Sequence, residues 1–309
     1  MTTFKHNGLY LTFGGSYLSK PTPDTAFRIK VDTTKEGSAI NTMIIPTNGE
    51  GYDFSIDWGD GTIEDISGTS PTVSHIYNTG GEYKIDITGT FPKIYFNNIG
   101  DKLKVLEVLN FGDYGTGISD QQNAFHGCGN LISISGYSNG INTSLVNGYQ
   151  MFNLCGSLTS MSNNITFENL ETGSRMFRQC GLDSLSENIN LSKLTLASAM
   201  FANNNISELP EFIHLISIVD GSGMFVNCSI TSILGIVTLS NLSNGSTMFL
   251  GNTINTEDYS NLLIRMEANN VNTGVSFHGG HSKYNLAGQE AKNALLARGW
   301  TIEDGGLEV

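Results

Sequence analysis

Met151-Phe152-Asn153-Leu154-Cys155, Met176-Phe177-Arg178-Gln179-Cys180 and Met224-Phe225-Val226-Asn227-Cys228 repeat one phrase. Met200-Phe201 and Met248-Phe249 open the same phrase and put Asn204 and Asn252 where the cysteine stands. Ala124-Phe125, followed by Cys128, is a further copy with Ala in place of Met. The phenylalanines are separated by 27, 25, 24, 24 and 24 residues, which chance does not produce. An aliphatic follows each phrase (Leu131, Leu158, Leu182, Ile206, Ile230, Ile254), and a second apolar set returns in register, as in Ile189, Leu191 and Leu194 or Ile213, Leu215 and Ile218. Ser174, Ser198, Ser222 and Ser246 keep the same interval. Self-similarity at such a period is the mark of a repeat array. One coil of this length cannot bury its own apolar face, so coils must stack and share a core of Phe, Met and Leu ladders. At a spacing of roughly 5 Å per coil the core would be about 30 Å long, with both ends in need of caps.

All four cysteines occupy one position of this repeat, and the two exceptions are Asn. Zinc sites need close Cys-x-x-Cys spacing, and none is present. The position suits the tight bend of a coil, where a small buried side chain packs or hydrogen-bonds the neighbouring backbone. The cysteines are therefore expected to be free, buried and structural, with a disulfide between stacked neighbours as the alternative. On this reading Cys155→Ser costs roughly 1–3 kcal/mol through a buried, unmatched hydroxyl.

The flanks have other grammars. Over residues 25–97, Phe27, Ile29 and Val31 alternate, then Phe54 and Ile56, then Ile85 and Ile87, with Gly, Asn and Asp between the runs. That is the pattern of an antiparallel β-sandwich. Residues 98–254 hold the repeats, with 99–118 as an irregular first coil. Residues 255–309 read as a small α/β cap: Thr256 caps a helix whose stripe is Tyr259, Leu262, Leu263 and Met266, and Ala287–Arg298 forms a second helix stopped at Gly299. Residues 1–24 stand apart. Leu9, Tyr10, Leu11, Phe13 and Tyr17 make a short strand apolar on nearly both sides, which must bury both faces. It either joins the sandwich edge or serves as an arm docking into a larger assembly.

With 16 basic against 29 acidic residues the formal charge is −13, a balance that repels nucleic acid and anionic lipid. No apolar run is long enough to span a bilayer, and the N-terminus lacks the pattern of an export signal. The expectation is a chain made and used without export, or one whose signal was removed before this numbering begins; Met1 favours the first.

The densest motif upstream is Trp58-Gly59-Asp60-Gly61-Thr62, followed by His75-Ile76-Tyr77 and Gly81-Glu82-Tyr83. This stretch resembles a PKD-type immunoglobulin-like domain over about 70 residues. The M-F-x-x-C phrases resemble the BspA-like leucine-rich repeats of bacterial and phage surface proteins over about 150 residues. The ending from Val275 through Trp300 and Asp304 is similar to the closing unit of such proteins. The resemblance implies a mainly β chain, an immunoglobulin-like sandwich followed by a leucine-rich-repeat-type solenoid, engaged in adhesion or recognition without chemistry.

Sequence motifs for chemistry are lacking. There is no nucleophile elbow, phosphate-cradling loop, HExxH or dinucleotide fingerprint. His278 and His281 flank two glycines with no third ligand signalled, so no metal site is assigned. Asp53, Asp57, Asp60, Glu64 and Asp65 form an acidic patch whose spacing matches no calcium loop, and turn or strand-edge acids are the reading preferred; whether the patch near Asp60 takes calcium stays open. His75 and Tyr77 are expected to pack at a sandwich corner. No catalytic residue and no cofactor is assigned, and a carbohydrate-active enzyme is disfavoured because the repeats are poor in acids.

The expected function is a non-enzymatic bacteriophage virion surface protein, in tail or head decoration, that attaches to the host-cell surface. Its partners would be other virion proteins and a host glycan or protein, with no nucleic acid and no membrane insertion, and self-association is compatible with it. The alternative is a bacterial cell-surface adhesin. The side strands of the coils, not the Phe-Cys bend, are expected to make the contact; no receptor-binding residue is singled out.

Overall fold

The computed structural model describes residues 24–309 apart from 137 and 236, together with the backbone of three short strands before them. Those strands, β1 (Phe4–His6), β2 (Leu9–Leu11) and β3 (Tyr17–Leu18), form a separate antiparallel sheet in the order β1-β2-β3. Phe13 lies outside the described residues, and Leu9, Tyr10, Leu11 and Tyr17 are described in backbone alone.

The chain is mainly β with few helices. Next come β4 (Phe27–Asp32), β5 (Thr42–Ile45), β6 (Tyr52–Asp57), β7 (Ile63–Gly68), β8 (Val73–Ile76), β9 (Glu82–Thr90) and β10 (Val105–Asn110). β5 and β8 pair with each other, while β4, β6, β7 and β9 belong to a larger sheet. The alternation read in the sequence is the burial pattern: Phe27, Ile29 and Val31 of β4, Phe54 and Ile56 of β6, and Ile85 and Ile87 of β9 are buried, in one cluster with Met43, Ile45 and Val73. Trp58 is fully buried there, and the Tyr77 hydroxyl donates to its carbonyl at 3.0 Å.

β10 joins this region to the repeats. One edge pairs antiparallel with β4, and the other pairs in parallel with β11 (Ser133–Ile134), which in turn pairs with β12 (Ser160–Met161). The seven-stranded sheet β12-β11-β10-β4-β9-β6-β7 thus runs without a break from the strands of residues 27–90 to the repeats. The strand edge that a repeat array would expose at its start is covered by β4.

The repeats follow the sequence period. Parallel bridges link Asp120, Asn147, Thr172, Leu196, Asp220 and Asn244, one per coil. The rings of Phe125, Phe152, Phe177, Phe201, Phe225 and Phe249 stack with centroids 5.3, 5.3, 5.7, 5.7 and 5.4 Å apart. Each such pair contributes about 0.5–1.5 kcal/mol beyond the area it buries. In every coil the residues two before and two after the Phe have positive φ: Gln150 and Leu154, Arg175 and Gln179, Ala199 and Asn203 among them. Such backbone costs roughly 1–2 kcal/mol for a residue with a Cβ. It is held because the N–H groups at these positions donate to the next coil, as from Arg175 to Ser198 O and from Gln179 to Ala202 O, both at 2.9 Å. The ladder begins earlier than expected: Phe96 donates to Ala124 O and Asn98 to His126 O, so the first coil starts at Phe96, not near 99.

The remaining elements are α1 (Gly140–Thr143), β13 (Glu208–Leu209), β14 (Ser232–Ile233), β15 (Asn244–Gly245), α2 (Thr256–Asn269), β16 (Ser276–His278), α3 (Leu286–Ala297) and β17 (Thr301–Glu303). α2 buries Tyr259, Leu262, Leu263 and Met266 as predicted, but Asn255, not Thr256, caps it, its side chain accepting from Asp258 N. The cap satisfies the last coil with side chains. Asp258 accepts from Ile233 N at 2.8 Å, Arg265 donates to Gly235 O at 3.2 Å, and Asn270 donates to Leu239 O and Leu242 O.

Candidate functional site

The Cys/Asn position is interior. Cys155, Cys180 and Cys228 are buried and free, and each Sγ–H donates to the Phe carbonyl of the preceding coil, at 3.2, 3.1 and 2.9 Å. Cys128 is likewise buried and free. Burial pushes the Cys180 and Cys228 thiols up to about 12 and the other two well above their usual range. Asn204 and Asn252 do the same task more fully: Nδ2 donates to Phe177 O and Phe225 O, and Oδ1 accepts from Leu182 N and Ile230 N. The hydroxyl of Cys155→Ser would therefore meet the Phe125 carbonyl, which corrects the expectation of an unmatched group.

The acids singled out near Trp58 act locally. Asp57 accepts from Gly59 N, and Asp60 accepts from Thr62 N and from His75 Nε2 at 2.8 Å; this last bond holds the Asp60 carboxyl below its ordinary range. His75 stacks on Trp58 with centroids 5.0 Å apart. His278 Nδ1 accepts from Gly280 N, a bond that closes the turn before His281. Among the described residues no three His, Cys, Asp or Glu side chains converge as metal ligands would.

A different place breaks the repeat. β11 pairs with β12, and β13 pairs with β14, yet no ladder joins β12 to β13 across the intervening coil at Ser184–Ser186. Among the described residues this segment makes no backbone hydrogen bond to either neighbouring coil. It is held by Leu185, which is buried, and by the Ser186 hydroxyl, which donates to Asn163 Oδ1 at 2.9 Å. A groove of about 490 Å³ opens there, lined among others by Met161, Glu187, Glu208, Glu211, Phe212 and Leu234.

Aligning the coils accounts for the break on the side of Glu208–Phe212. Positions 160, 184 and 232 are Ser, whereas 208 is Glu; 162 and 186 are Ser, whereas 210 is Pro; 164 and 188 are Asn, whereas 212 is Phe. Pro210 has no N–H to give a ladder. Phe212 remains 59% exposed and Leu234 58% exposed beside it. The carboxylates of Glu187, Glu208 and Glu211 are exposed and, among the described residues, none accepts a hydrogen bond or meets a cation. The groove thus offers unused acceptors next to an apolar ring, the make-up of a surface that takes a polar ligand with an apolar face.

No protein-family model, curated protein or solved structure matches this chain. No helix among the described residues is long and apolar enough to cross a membrane.

Proposed function

We propose that this chain is a non-enzymatic attachment protein that grips a hydroxyl-rich glycan of a cell surface in the groove at Glu208–Phe212. One observation carries this: Glu208, Pro210 and Phe212 stand where the two coils before them carry Ser, Ser and Asn, and all three line the same groove. Core positions cannot explain the departures, since Glu208 and Phe212 are exposed. An exposed ring suits the apolar face of a sugar, and free carboxylates with nearby Ser and Asn suit its hydroxyls. The contact falls on the side strands of the coils.

The architectural reading is a PKD-type immunoglobulin-like sandwich followed by a leucine-rich-repeat-type solenoid with an α/β cap. It is supported by the two sheets around Trp58 and by the parallel bridges repeating from Asp120 to Asn244. Placement on a bacteriophage virion is supported by the sequence resemblance, and residues 1–24 as the arm toward other virion proteins by the run of Leu9, Tyr10, Leu11, Phe13 and Tyr17, apolar on nearly both sides. The test is an array of bacterial envelope oligosaccharides probed with the full chain. Phe212→Ser should lower binding to its best ligand at least about tenfold with melting temperature unchanged, while Glu171→Gln, outside the groove, should not. Equal binding by Phe212→Ser would refute the site.

A further inference from the structure

Resting on the reading of the groove as a saccharide site, we infer that its ligand presents acetamido groups: a glycan of N-acetylated amino sugars. On the side of the array that holds the groove, β11 pairs with β12 and β13 with β14. The coil between β12 and β13 forms no strand there. The N–H groups of Ser184, Leu185, Ser186 and Glu187 have no partner among the described residues, and neither have the carbonyls of Ser184, Leu185 and Glu187. All four residues line the groove, so its floor is a run of peptide donors and acceptors that no neighbouring strand pairs.

A secondary amide is the group that such a floor fits. It holds one donor and one acceptor on opposite sides of a plane, the arrangement by which one strand pairs with the next. An acetamido substituent has that arrangement and ends in a methyl group. Phe212 and Leu234, both exposed, line the same groove and offer that methyl an apolar neighbour. A deacetylated amino sugar brings an ammonium, which has donors only, and leaves the N–H groups of residues 184–187 unmatched. A plain hexose puts a hydroxyl in the same place, with no methyl and no donor and acceptor fixed in one plane. No Lys, Arg or His lines the groove, so a uronic-acid or phosphate-bearing glycan finds no cation there and meets a chain of charge −13. Sites that hydrogen-bond a ligand's N–H discriminate sharply against the analogue that lacks it.

The experiment uses the full chain and three tetrasaccharides of one linkage: of N-acetylglucosamine, of glucosamine and of glucose. The N-acetylglucosamine tetramer should bind at least about tenfold more tightly than either of the others. Leu234→Ser should weaken that binding at least about threefold and leave the glucose tetramer unchanged. Hydrogen exchange over residues 184–187, followed by mass spectrometry, should slow on adding the N-acetylated tetramer, as those N–H groups gain partners. Equal or tighter binding of the glucose or glucosamine tetramer overturns the inference and leaves the saccharide reading standing. Tight binding of the N-acetylated tetramer with exchange over residues 184–187 unmoved also overturns it. Failure of every saccharide, on the array as well as here, sinks the underlying reading and the inference with it.

Discussion

Asn204 is where a single side chain reports on the stacking of coils. It is buried, its Nδ2 donates to Phe177 O and Phe201 O at 2.8 Å each, and its Oδ1 accepts from Leu182 N at 3.0 Å. Phe201 O has a second partner in Cys228 Sγ, so Asn204→Ala strands two buried groups, Phe177 O and Leu182 N. At about 1–3 kcal/mol for each, the loss is roughly 2–6 kcal/mol. Asn204→Cys copies what the repeat does at Cys228, whose thiol reaches the carbonyl of the preceding coil. It should recover Phe177 O and leave only Leu182 N stranded, a loss of about 1–3 kcal/mol. Urea denaturation of parent and both variants measures the difference, with unchanged slope showing that only stability moved. The reasoning fails if Asn204→Ala costs under about 1 kcal/mol, or if the cysteine variant is no better than the alanine one.

Two further outcomes are expected. Asp101 and Lys104 form a fully buried pair at 3.1 Å, with Lys104 also donating to Ala39 O and Thr42 O, and Asp101 accepting from Ile44 N; Lys104→Met alone should cost about 3–5 kcal/mol in urea denaturation, because it leaves a buried carboxylate uncompensated. The four cysteines should resist a thiol reagent in the native protein at pH 8 and react fully in denaturant, counted by mass spectrometry, since burial keeps them as thiols.

The array was legible in the sequence because its side chains face one core. Phe, Met, Cys and Leu recur at positions where only an apolar or small group fits, and the period survives any ignorance of backbone angles. The alternation of β4, β6 and β9 and the stripe of α2 were legible for the same reason. Phe96 was not: it lies 29 residues before Phe125, follows Tyr95 instead of Met, and shares its segment with the end of the alternating strand region. The left-handed positions were hidden because Leu154, Arg175 and Ala199 carry no sign of positive φ; the demand comes from hydrogen bonds to the next coil. The Asp101–Lys104 pair resembles any surface i,i+3 pair until the segment from Ser38 to Ile44 closes over it. The groove left a trace: Phe212 occupies a position that is Asn in the two coils before it, and Glu208 one that is otherwise Ser, but this emerges only once the coils are laid in register.

The stacking of residues 24 apart on adjacent coils can be tested by cross-linking. Ser198 and Ser222 touch through their hydroxyls at 3.0 Å, whereas Ser246 lies one coil further on. Neighbouring strands sit within the range a disulfide spans. With Ser198→Cys and Ser222→Cys together, air oxidation of the native protein should yield a disulfide between those two positions by peptide mapping. With Ser198→Cys and Ser246→Cys together it should yield none. A bond in the second pair, or two unreactive thiols in the first, would contradict the winding of this chain.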